Sequence, residues 1–181
     1  MSMFEVVNKY NPEDIILPTR STQHSAGYDF YVAADTTLPP IHRYWEVGRA
    51  QFPDNKDDYI PLTISEVEKF TKEQGLRPTL VPTGVKSLLE EGQYLELSVR
   101  SSTPLKYWII MANGVGIIDK DYYGNPANDG EIFFQLINLS PFAVTLKKGD
   151  KIGQGIIKRF ETVEGDNVTV QRMGGFGSTS N

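Results

Sequence analysis

Asn113-Gly-Val-Gly-Ile-Ile-Asp119-Lys-Asp121-Tyr122-Tyr-Gly124 is the stretch on which the reading of this chain turns. Two short apolar arms meet at Gly114 and Gly116, a pattern that suits a tight β-hairpin better than a helix. Asp119 closes the second arm on an apolar background of Ile117 and Ile118. A carboxylate against such a floor is poorly solvated, so its basicity and orientation can be tuned. Tyr122, three residues on, adds a flat face. A slot, a carboxylate and an aromatic platform in one hairpin suit a small planar ligand. Standing alone, the same stretch reads equally well as a buried hairpin with one capped aspartate.

Outward from this stretch, short β-like runs alternate with Gly, Pro, Asn and Asp turns. Tyr94–Val99, Tyr107–Met111, Ile132–Ile137, Ala143–Leu146 and Val168–Val170 are the clearest. Strands at this spacing point to an all-β sandwich, barrel or jelly roll. One segment breaks the rhythm. Leu62 to Gly75 reads as a helix, with Thr63 and Glu66 as a capping box, Leu62 stapled to Val67, and Gly75 as the stop. Ser65 with Glu68 offers a second capping register.

The chain has 181 residues, suited to one domain, and 39% hydrophobic content supplies a core. A formal net charge of -5 argues against broad binding to nucleic acid or anionic membranes. A phosphate site stays open, since it needs only a few local donors. Two histidines (His24 and His42) and no cysteine argue against a zinc hydrolase or zinc deaminase centre and against a disulfide framework. No basic segment followed by an apolar core opens the chain, and no apolar run is long enough to span a bilayer. A cytoplasmic protein is the expectation.

Four further motifs accompany the opening stretch: Ala26-Gly-Tyr-Asp29-Phe30, Val99-Arg100-Ser101-Ser102, Gly149-Asp-Lys-Ile-Gly-Gln154 and Arg172-Met-Gly-Gly-Phe176-Gly177-Ser178-Thr179. The five together, in this order, resemble the motifs of the trimeric dUTPase family. The resemblance implies an all-β, distorted jelly-roll (β-clip, dUTPase-like) fold over residues 1–181, with a short helical insertion. It implies hydrolysis of dUTP to dUMP and pyrophosphate, which keeps uracil out of DNA. It further implies a homotrimer whose sites are shared between chains, and Mg²⁺ held through the triphosphate with no protein cage.

By the same resemblance, Asp119 activates the water that attacks the α-phosphorus. Tyr122 lies beneath the deoxyribose and leaves no room for a 2′-hydroxyl. The backbone from Asn113 through Gly116, Ile117 and Ile118 reads uracil, with glycines permitting close approach, and Phe133 joins the substrate contacts. Arg100, Ser101, Ser102 and Gln154 hold the phosphate chain, and Asp29 orients the second-motif arginine. The glycine-rich tail 172–181 is a mobile lid: Phe176 covers uracil, Ser178 and Thr179 approach the γ-phosphate, Gly177 is among the substrate contacts, and Arg172 reaches the γ-phosphate. The fifth motif is one residue short here, so a rigid alignment would put Gln171 in that place. Asp121, two residues after Asp119 on a strand, faces the other side and reads as structural.

Two segments depart from the family pattern. Residues 43–79 form an insertion, read either as a surface elaboration or as a partner-binding or lid element. Gly124–Gly130 reads as an open turn beside the site. Two other functions compete. A dCTP deaminase, alone or bifunctional, shares the Arg-Ser-Ser motif, but its acid/base glutamate falls at Gln135 and its arginine at Leu105, with Glu131 nearby. A nucleotide-gated regulatory binding module would use the insertion as its contact.

Overall fold

The computed structural model describes residues 1–43 and 63–170. Among them eleven strands, two α-helices and two 3-10 turns are present, and every strand pair is antiparallel. The all-β expectation holds. Strands β1 (Met3–Val6), β2 (Tyr28–Tyr31), β3 (Thr36–Leu38), β4 (Thr79–Pro82), β5 (Val85–Leu88) and β6 (Gln93–Val99) precede the short helix Ser102–Tyr107. Strands β7 (Ile109–Met111), β8 (Gly116–Asp119), β9 (Phe133–Asn138), β10 (Val144–Leu146) and β11 (Lys151–Arg159) follow it. They form a four-stranded sheet β2-β11-β6-β8, a three-stranded sheet β4-β9-β7, and the pairs β1-β5 and β10-β3.

The core lies between these layers. Phe30, Leu38, Val81, Leu95, Leu97, Ile109, Phe134 and Leu136 are all buried. On β9 the alternation is regular, with Phe134, Leu136 and Asn138 inward and Phe133, Gln135 and Ile137 on the other face. The fourth-motif glycines explain how β11 lies so close. A Cβ on Gly153 would stand 2.1 Å from the Phe134 ring, and one on Gly155 would stand 2.7 Å from Phe30. Only glycine leaves that space.

Helix α1 (Ile64–Glu73) forms as the sequence predicts. Thr63 is its N-cap, and the Thr63/Glu66 capping box is complete. Gly75, at φ +63°, takes the left-handed turn beyond the C-cap. The helix buries none of its residues. The proposed staple partner Leu62, like most of the insertion before it, lies outside the described residues.

Three strand expectations need correction. The opening stretch is not a hairpin: β7 pairs with β9 and β8 pairs with β6, so its two arms lie in different sheets. The turn is a tight hand-off at Gly114 (φ +70°), where the Val115 N–H donates to the Asn113 carbonyl at 2.8 Å. Local alternation gives each arm's extended conformation but not its partner. Tyr107 and Trp108 are not strand. Tyr107 ends helix α2 (Ser102–Tyr107), and Trp108 closes it in the left-handed region at φ 56°. Val168–Val170 carries no strand, and both valines stand exposed.

Candidate active site

The outer position of β8 in its sheet leaves one of its edges unpaired with any strand of the described residues. Such an edge offers alternating N–H and C=O groups to a ligand. Gly116 lets β8 press onto Leu97, whose Cβ would stand 3.2 Å from an added methyl. Beside β8 opens a pocket of about 170 Å³. Asn113, Gly116, Ile117, Ile118, Asp119, Tyr122 and Phe133 all line it, joined by Leu97, Glu131 and Gln135. The sequence-predicted nucleoside residues therefore meet in one place.

Asp119 is the last residue of β8 and stands part-buried at the pocket wall. The chain then enters a 3-10 turn, Lys120–Tyr122. Asp121 is thus not two residues along a strand, as the alternation argument requires; it is exposed on that turn. The turn also swings Tyr122 inward, where its ring is buried and its hydroxyl donates to the Glu131 carbonyl at 3.1 Å. Glu131 itself is fully buried at 0% exposure. Its carboxylate accepts the Gly84 N–H at 3.1 Å and pairs with Lys9. Burial draws the Lys9 pKa down, but the Glu131 contact outweighs it and leaves the ammonium above its usual value. Glu131 is therefore tied off structurally. At the deaminase position the pocket has Gln135, an amide that does not shuttle protons.

The phosphate residues gather elsewhere. Asp119 lies opposite Tyr94 on β6, whereas Arg100 follows Val99 at the far end of that strand. Six residues of strand set the two about 20 Å apart. Arg100 and Ser102 line a second cavity of about 380 Å³ with Thr103, Tyr107, Asp150 and Lys151. Ser101 is exposed at the start of α2.

Asp29 sits behind them on β2. Arg100 Nε approaches its Oδ1 at 3.5 Å, but its closer partners are Lys151 Nζ at 2.7 Å and Ser21 Oγ at 2.5 Å. Burial pushes the Asp29 carboxyl up, yet Lys151, Ser21 and Arg100 together leave it below the usual carboxylate value. The Asp29 bond likewise raises Lys151. Sequence reasoning missed Lys151 in this role, although the fourth motif contains it. Gln154, in register with Asp29 and Ser98, is held between Gly27, where a Cβ would clash with its amide, and Ser98 Oγ at 3.4 Å. Arg172, Phe176, Gly177 and Ser178 lie outside the described residues.

A family model described as dUTPase matches residues 62–180. The deoxyuridine 5'-triphosphate nucleotidohydrolase of Lactococcus lactis is 35% identical over 178 residues, covering 97% of this chain and 95% of that protein. The chain belongs to the dUTPase family. The family's enzyme from Wolinella succinogenes is 39% identical over 176 residues, 94% of this chain and 90% of its own. Among solved structures, the dUTPase of Streptococcus mutans superimposes with a TM-score of 0.66 at 33% identity, covering 90% of this chain and 98% of that one. The dUTPase jelly roll thus accounts for the antiparallel sheets, the edge strand β8 and the glycine-lined contact of β11.

Proposed function

We propose that this chain is a dUTP diphosphatase, releasing dUMP and pyrophosphate, and that its sites form between chains of a homotrimer. The observation that carries the reading is the pocket at β8: an exposed strand edge for the base, Tyr122 for the sugar, and Asp119 at the point where the α-phosphorus would emerge. Uracil presents two carbonyls and one N–H, which the backbone edge from Asn113 to Ile118 complements, while Phe133 flanks the ring. Asp119 takes a proton from the attacking water. The new oxygen–phosphorus bond forms as the bond to pyrophosphate breaks, and dUMP leaves carrying the added oxygen.

The separation of Arg100 from Asp119 along one chain supports the trimer. About 20 Å of strand separates the nucleoside pocket from the phosphate turn of the same subunit. Arg100, Ser101, Ser102 and Gln154 would then serve the pocket of a neighbouring copy. Exposed Leu105, Tyr107 and Trp108 beside that turn, and Val163, Val168 and Val170 in the tail, offer the apolar surface such packing needs.

Among the described residues no group of three or more His, Cys, Asp or Glu is placed to hold a metal. The donor set fits an Mg²⁺ that arrives on the triphosphate, where the ion would neutralise phosphate charge. The tail 172–181 acts as the lid, Arg172, Ser178 and Thr179 toward the γ-phosphate and Phe176 over the base, with Gly177 among the substrate contacts. The insertion 43–79 is the candidate contact for a protein partner, and the setting is the cytoplasm. Among the described residues no helix is long and apolar enough to cross a membrane.

Incubating the protein with Mg²⁺ and, separately, dUTP, dCTP, dTTP and UTP tests the activity. The expected result is dUMP and pyrophosphate from dUTP alone. Ammonia from dCTP would move the assignment to deaminase chemistry.

A further inference from the structure

Gly124–Gly130, which intervenes between the family's Asp-Tyr-x-Gly stretch and the next strand, is a built turn rather than the open one its composition suggests. Asn125 is buried, and its N–H donates to the Tyr122 carbonyl at 3.2 Å. The Asp129 N–H donates to the Asn125 carbonyl at 2.7 Å, and the Glu131 N–H to the Asn128 carbonyl at 3.1 Å. Gly130, at φ +77°, leaves no room for a side chain, since a Cβ there would stand 2.5 Å from the Tyr122 carbonyl oxygen. The turn is also fastened from outside. Asp129, in the left-handed region at φ 59°, accepts Lys86 Nζ at 3.0 Å and the Asn8 N–H at 2.9 Å.

The turn's contact with the site is one side chain. Asn128 Nδ2 donates to the Tyr122 hydroxyl at 2.6 Å, while Asn128 Oδ1 accepts the Gly130 N–H at 3.1 Å. The same hydroxyl donates to the Glu131 carbonyl. The phenol oxygen is therefore gripped from two directions, and its ring lines the pocket. Steric exclusion of a hydroxyl is only as strict as the wall is stiff, and a shift of about 0.5 Å in a positioning group degrades such a site. A ring held by packing alone can slide. One held by Asn128 and Glu131 must first leave buried polar groups unpaired.

We infer that the Gly124–Gly130 turn is a specificity device of this chain, with Asn128 as a positioning residue that clamps Tyr122 and so enforces rejection of the ribose 2′-hydroxyl. The inference rests on the reading of Tyr122 as the sugar platform. It assigns discrimination to a segment that does not itself line the pocket, and ties that discrimination to β5 and the turn after β1 through Asp129.

The test is kcat/KM for dUTP and for UTP, with Mg²⁺, in the full-length protein and in Asn128→Ala, Tyr122→Phe, the double variant and Tyr122→Ala. Thermal melts check that each folds. The clamp predicts that Asn128→Ala lowers the dUTP-to-UTP ratio about tenfold, as expected for losing one buried hydrogen bond, and that Tyr122→Phe, which removes both bonds to the hydroxyl, lowers it at least as far. The double variant falls no further than Tyr122→Phe, because that substitution already removes the bond to Asn128. A ratio unchanged in those two variants but collapsed in Tyr122→Ala would overturn the clamp and leave the sugar platform standing. A ratio unchanged in Tyr122→Ala would overturn both. Should Asn128→Ala fail to fold, Tyr122→Phe decides alone, since it leaves the turn's other bonds in place.

Discussion

At the Tyr94 end of β6 the pocket residues are fastened to one another within one chain: Tyr122 to Glu131 and Asn128, Glu131 to Gly84 and Lys9. At the Val99 end, Arg100 and Ser102 face a wider cavity, supported from behind by Asp29 and Lys151. Both ends stand on the same strand, β6, and pair with β11. In the proposed function the first end recognises the nucleoside and the second supplies charge to the phosphates. Sharing of sites between chains, as proposed above, would bring together two ends that lie about 20 Å apart on one strand.

Substitutions at the two ends should therefore fail differently. The largest effect is expected for Asp119→Asn, which should lower kcat by several orders of magnitude while nucleotide binding, followed by calorimetry, persists. Retained turnover would remove Asp119 as the base. Next, Lys151→Ala at the other end should raise KM for dUTP about tenfold with a smaller change in kcat, as loss of a charge-assisted contact behind the phosphate residues predicts.

The strand beneath both ends gives a stability effect instead. Gly153→Ala should cost about 1–3 kcal/mol in denaturant unfolding, because the added methyl meets the Phe134 ring and has nowhere to go. Titration sharpens the contrast further. Asp29 has a lowered pKa in the folded state, so its contribution is fully present above the unfolded value of about 4 and is lost as pH falls through the lower folded one. Asp29→Asn should flatten that acid limb in pH-dependent melts. The smallest effect belongs to Thr63→Ala. It should loosen amide protection in α1 several-fold and leave turnover alone, since α1 packs on neither end.

How much was legible in the sequence follows the range of the interactions involved. The capping box of α1 and its Gly75 stop were readable because they are closed by residues three apart or adjacent to the helix end. The pocket lining was readable because five of its residues are consecutive or nearly so around β8, and the family motifs fix their order. Strand pairing was not readable. The arms either side of Gly114 look like a hairpin locally, and only Leu136 and Leu97, far away in sequence, decide that each arm joins a different sheet. Lys151 was missed as the main partner of Asp29 because the bond spans 122 residues. The Gly124–Gly130 turn was misread as open for the same reason: its Asn, Asp and Gly content signals a turn, but not that Asn128 turns inward onto Tyr122.

The central claim is that each site draws Asp119 from one chain and Arg100 from another. Complementation tests it most directly: co-refold Asp119→Asn and Arg100→Ala chains, each inactive alone, in equal amounts and measure dUTP hydrolysis. Shared sites predict recovery of roughly a quarter of wild-type activity, the fraction of random pairings that join an intact Asp119 to an intact Arg100. A mixture no more active than the two variants kept apart would contradict the account and place the whole site within one chain.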